Sequence, residues 1–174
     1  MSKKYTRTAI ALHWLMALLI LATFPLGLYM SDLALSPFKL RLYSYHKWIG
    51  IVILMLLLVR GLWRLTHRPP ISEVALPRWQ KLSAHTVHVA LYILLFIVPL
   101  SGWLMSSALG FQTVLFGVLP LPDLIGPDKA LGAVLKNVHE VLNYSLLGVV
   151  IVHVAAALQH HFIRQDDTLR RMLP

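Results

Sequence analysis

The run Val138–Phe162, VHEVLNYSLLGVVIVHVAAALQHHF, decides how this chain is read. It is apolar and long enough to cross a hydrocarbon core of about 30 Å as a helix, which takes about 20 residues. It also carries two histidines, His139 and His153, fourteen residues apart. That spacing is close to four helical turns and a rise of about 21 Å, so both rings lie near one face at two depths. Polar side chains inside an apolar span are costly and usually functional.

Three further runs have the same character: Thr8–Met30, Tyr43–Leu65 and Ala84–Ser107. Lipid offers no hydrogen-bond partner for the backbone, so each run must be a helix. Pro25 and Pro99 are expected to kink the first and third spans or mark where they loosen. Composition agrees. The 174 residues are 57% hydrophobic and only 13% charged, with mean hydropathy +0.69, whereas a soluble protein is about a quarter charged. The expected fold is all-α: one integral membrane four-helix bundle occupying residues 1–174.

Charge placement sets the orientation. Lys3, Lys4, Arg7, Arg60, Arg64, Arg68, Arg78, Lys81, Arg164, Arg170 and Arg171 fall on one side. Lys39, Arg41, Lys47, Lys129 and Lys136 fall on the other. Eleven against five predicts cytoplasmic N- and C-termini. The first run resembles a signal peptide in its basic start but lacks a small-residue cleavage site, so it reads as a retained helix. The net charge of +9 flanks apolar runs instead of forming a patch with aromatics, which argues against nucleic acid. The segment Leu65–Ser83, with Pro69, Pro70 and Pro77, reads as an irregular cytoplasmic loop. Gly110 to Asn137 reads as a lid at the outer interface, with a short helix over Asp128–Asn137 feeding the last span.

This topology pairs the histidines by depth. His13 and His153 fall in the cytoplasmic half, and His46 and His139 near the outer surface. Two histidines at each of two depths are what two bis-histidine haems stacked across a bilayer require. The chain has no cysteine, so any haem is held without covalent attachment and thiolate metal sites are excluded. His88 is placed to replace His13 opposite His153. Each histidine alone also fits an ordinary interfacial polar residue. His160, two turns beyond His153, suits a hydrogen-bond donor to a quinone carbonyl, and His85 and His88 suit quinone or propionate contacts. Arg60 and Arg64 on the inside, and Arg41 and Lys47 on the outside, are candidate propionate partners, and a basic outer mouth would steer a small anion. The same cations also fit snorkelling flanks. Gly50, Gly61, Gly102 and Gly148 would allow close approach of a helix or a flat porphyrin.

Other motifs fail. His139-Glu140 opens like H-E-x-x-H, but Asn143 holds the last position. No nucleotide-binding glycine loop is present. A histidine-lined metal transporter remains an alternative, weakened because transporters usually show intramembrane acids or inverted repeats.

Tyr5-Thr6-Arg7 through Ala11-Leu12-His13-Trp14, then Tyr45-His46-Lys47 with Gly50, resemble the bacterial cytochrome b561 family. So do Ala84-His85-Thr86-Val87-His88 with Tyr92, His139-Glu140, His153 through His161, and Asp167-Thr168-Leu169-Arg170-Arg171-Met172. The family is similar to the cytochrome b subunits of membrane hydrogenases and formate dehydrogenases. The resemblance implies an inner-membrane bundle enclosing two haems b. It implies His46 with His139 on the outer iron and His13 with His153 on the inner. It further implies a ubiquinone site at the inner end, and for some members superoxide as donor at the outer surface. On this reading electrons pass from superoxide, or from a reduced partner protein, to membrane ubiquinone. His160 is the expected quinone contact, with His85, His88, Arg78 and Lys81 as further contacts or proton suppliers. An anchor and electron conduit for a partner dehydrogenase is the other redox reading.

Overall fold

The computed structural model describes residues 4–67, 70 and 77–174. Four long helices dominate: α1 (Arg7–Asp32), α2 (Pro37–Thr66), α3 (Arg78–Ala108) and α4 (Lys129–Leu158). All four are long and apolar enough to cross a membrane. The first three outrun their apolar runs at both ends, and α4 starts nine residues before its run, because polar residues at the ends extend a helix past the hydrocarbon core.

Local chemistry explains the starts. Thr6, Ser36 and Asp128 each accept a hydrogen bond from a backbone N–H three residues on, at 3.3, 3.2 and 3.0 Å, and Pro37 opens α2 where no intrahelical donor is needed. Pro25 and Pro99 lie inside α1 and α3, which continue through them. With no water to compete for the remaining backbone bonds, losing one donor does not end a helix in lipid. The short helix expected over Asp128–Asn137 is present and runs without a break into the last span as the first part of α4. Asp128 caps it, and no proline interrupts the chain from there to Leu158.

The connection between α3 and α4 holds a small antiparallel hairpin, β1 (Val114–Leu115) with β2 (Leu119–Pro120). Phe116 and Gly117 both take positive φ, 52° and 75°, at its turn. That conformation suits glycine and strains phenylalanine. The hairpin is pinned to the bundle. Lys47 Nζ donates to Ser106 Oγ and to the Phe111 and Gln112 carbonyls at 3.2–3.3 Å. Trp48 Nε1 donates to the Val114 carbonyl at 2.7 Å. Asp128 N–H donates to the Ala108 carbonyl at 2.8 Å and closes the corner between α3 and α4.

Helix packing runs α1 on α2, α2 on α3 and α3 on α4. The buried apolar set is short and includes Met16, Ile53, Leu57, Val98 and Leu146. Large apolar side chains such as Leu18, Leu21, Leu62 and Ile151 are about 60% exposed (63, 63, 64 and 58%), as a lipid-facing surface requires. At the opposite end from the hairpin the termini meet. Tyr5 N–H donates to the Arg171 carbonyl at 3.2 Å, and Trp14 Nε1 donates to the Met172 carbonyl at 2.7 Å.

Candidate functional site: two histidine pairs across the bundle

At the hairpin end, His46 on α2 faces His139 on α4, with ring centres 6.3 Å apart and planes at 85°. His139 is firmly oriented. Its Nδ1 lies 3.1 Å from the Val98 carbonyl and 2.9 Å from Ser101 Oγ. Ser101 gives its own hydrogen to the same carbonyl at 2.7 Å. The carbonyl can only accept, so the hydrogen sits on His139 Nδ1, and Nε2 keeps a lone pair for a metal.

Glycines make room for both rings. A Cβ on Gly102 would come 2.9 Å from His139 Cε1, and one on Gly27 would come 3.2 Å from His46 Cε1. His46 Nδ1 is buried without a well-formed hydrogen bond. An apolar cavity beside the pair is lined by Phe24, Pro25, Gly50, Leu95, Pro99 and Leu147.

Toward the termini, His13 on α1 faces His153 on α4 at 6.2 Å with planes at 75°. His88 on α3 lies nearer to His153, at 5.4 Å. Ring spacing discriminates between the two. Metal–nitrogen bonds of about 2 Å, with about 1.1 Å from each nitrogen to its ring centre, would put two imidazoles on opposite sides of one iron about 6.2 Å apart. Both the His46–His139 and His13–His153 spacings fit that value, whereas the His88–His153 spacing is too short. The residues present therefore fit two bis-histidine haems. Among the described residues, no three His, Asp or Glu side chains gather in a form suited to a bare metal ion.

The remaining sequence candidates scatter. Arg60 donates to the Ala9 carbonyl at 3.0 Å. Together with Arg64, Lys4 and Trp63 it lines a cavity at the termini end. Tyr92 also lines that cavity, and its hydroxyl is buried without a partner. Lys47 is engaged by the hairpin. Arg41, Arg78, Lys81 and His85 are exposed. His160 pairs with Asp166, Nδ1 to Oδ2 at 2.5 Å.

Sequence reasoning did not single out Ser101, Gly27, Asp166 or the Tyr92 hydroxyl. Ser101, Gly27 and Asp166 matter through a histidine that only the fold brings beside them, and no periodicity marks such a residue. Arg171, read as a charged flank, is buried, with its guanidinium 5.7 Å from the Tyr5 ring centre.

Residues 4–174 match the model of the family described as prokaryotic cytochrome b561. The chain is 36% identical over 172 residues to "Cytochrome b561 homolog 2" of Escherichia coli K12, covering 98% of this chain and 92% of that protein. It is 32% identical over 182 residues to "Probable superoxide oxidase CybB" of Yersinia pestis, covering 100% and 98%. To "Cytochrome b561 homolog 1" of Escherichia coli K12 it is 28% identical, covering 98% and 97%.

Proposed function

This chain belongs to the prokaryotic cytochrome b561 family, and on that premise we propose that it carries electrons between the hairpin-end surface and the membrane ubiquinone pool. The observation that carries the reading is the matched spacing of the two histidine pairs, 6.3 and 6.2 Å, at two depths of one bundle. His46 with His139 would hold one haem b and His13 with His153 the other. Haem iron, when bound, would supply the one-electron redox chemistry.

The protein's own groups set orientation and access. The Val98 carbonyl and Ser101 fix the His139 tautomer. Arg60, Arg64 and the Tyr92 hydroxyl form a cationic, hydrogen-bonding wall suited to propionate carboxylates at the termini end. The excess of Lys and Arg at that end supports cytoplasmic termini in a bacterial inner membrane.

Superoxide is the donor we favour, supported by the name of the Yersinia relative. The reaction is then superoxide:ubiquinone oxidoreduction, with dioxygen and ubiquinol as products. The purified protein, given superoxide and a short-chain ubiquinone, should form ubiquinol without another subunit. Activity that appears only with a partner dehydrogenase would replace this reading with that of an electron conduit.

A further inference from the structure

The end of α4 is built differently from the rest of the bundle. Helical bonding widens over Gln159–Ile163, and Arg164 N–H bonds back to the Gln159 carbonyl at 3.1 Å. Such π-type turns are uncommon and are often found at functional sites. Gln165 then takes φ 54°, a left-handed conformation unfavourable for a side chain of its type. The reversal brings Asp166 back under His160. Asp166 N–H donates to the His160 carbonyl at 3.1 Å. The Asp166 carboxylate accepts from His160 Nδ1 at 2.5 Å and from Thr168 N–H at 2.9 Å. Both side chains are largely enclosed, at 16% and 12% exposure. His160 Nε2 has no hydrogen bond among the described residues. Arg164, next in the turn, reaches across to Gln80 on α3 at 2.7 Å and so leaves the pair alone.

We propose that Asp166 is the positioning residue for a proton-delivering His160 at the quinone end of the molecule. This rests on the quinone reading above and deepens it. The carboxylate can only accept, so it holds the imidazole with hydrogen on Nδ1 and presents Nε2 to the ligand. A quinone that gains two electrons must also gain two protons, one on each oxygen. Nε2 takes a proton from cytoplasmic water and gives it to a quinone oxygen, and a second cycle supplies the other. The carboxylate stabilises the imidazolium formed between those transfers and does not itself transfer a proton. His160 lies seven residues past His153, a rise of about 10 Å along the helix.

The test uses the haem-loaded purified protein and the variants Asp166→Asn, Asp166→Glu and His160→Gln. Each is reduced and then reoxidised either by ferricyanide, which takes no proton, or by a short-chain ubiquinone. With Asp166→Asn and His160→Gln, the saturated ubiquinone rate should fall about 10-fold or more while the ferricyanide rate stays within about twofold. In Asp166→Asn, binding of a non-reducible hydroxyquinoline N-oxide should stay within about threefold, because ligand contacts are kept. Asp166→Glu should recover most of the ubiquinone rate. Nitrogen-15 NMR of histidine-labelled protein should show His160 in the Nδ1–H tautomer and a changed signal in Asp166→Asn.

An unchanged ubiquinone rate in Asp166→Asn overturns the proposal, as does a parallel loss with both acceptors. If the wild-type protein reacts with ferricyanide but not ubiquinone, the quinone reading falls and takes this proposal with it.

Discussion

His139 and Val98 are joined by a hydrogen bond of 3.1 Å from the imidazole Nδ1 to the backbone carbonyl. That one bond orients the ring at an apolar helix crossing and settles which ring nitrogen is free, as the proposed haem-ligand role of His139 requires. Gly102 on the same helix makes the approach possible.

Gly102→Ala should therefore displace His139. The new Cβ would meet a ring atom at 2.9 Å, closer than carbon atoms tolerate. We expect the His46–His139 haem to be lost or weakly held while the other stays. Haem per chain, measured by pyridine haemochrome, should fall toward half. Full haem content with an unchanged spectrum would show that the ring shifts freely.

The imidazole planes within each pair stand at 85° and 75°. Near-perpendicular axial rings split the iron d orbitals little, so the oxidised protein should give strongly anisotropic low-spin signals in frozen-solution EPR. The less anisotropic signals of parallel rings would contradict these orientations.

Lys47 should act as a clamp on the hairpin between α3 and α4. Lys47→Met removes charge-assisted bonds to Ser106 and to two carbonyls, a change typically worth about 1.5–3 kcal/mol. Proteolysis within residues 109–127 should accelerate without loss of haem. Should haem disappear as well, Lys47 has a direct role at the histidine pair.

Partial burial alone would raise the Asp166 carboxyl, but the bonds from His160 and Thr168 outweigh it and hold the carboxyl below the usual carboxylate range. A depressed folded value contributes stability that is fully present above the unfolded carboxylate range and is lost progressively as pH falls from there through the folded value. Docking of residues 164–174 should thus weaken on acidification, beginning in the ordinary carboxylate range. Hydrogen exchange across a pH series should show this, and Asp166→Asn should remove that acid dependence.

Much of the fold was legible because lipid imposes simple rules. Apolar length announces helices such as Thr8–Met30, and the His139–His153 spacing announces two depths on one face. The helix expected over Asp128–Asn137 is present, and only its unbroken continuity with the last span was not legible, because a polar stretch outside the core gives no sign of whether a helix is continuous. The choice between His13 and His88 needs a distance across the bundle, 6.2 against 5.4 Å, which sequence order does not contain. Asp166 escaped notice because it depends on the backbone reversal at Gln165.

The most direct test of the central claim is haem stoichiometry in the purified protein and in four single variants. The account predicts two low-spin haems b per chain. One should be lost in His46→Ala, the other in His13→Ala or His153→Ala, and neither in His88→Ala. A well-folded wild-type protein with no haem, or His88→Ala losing a haem that His13→Ala retains, would contradict it.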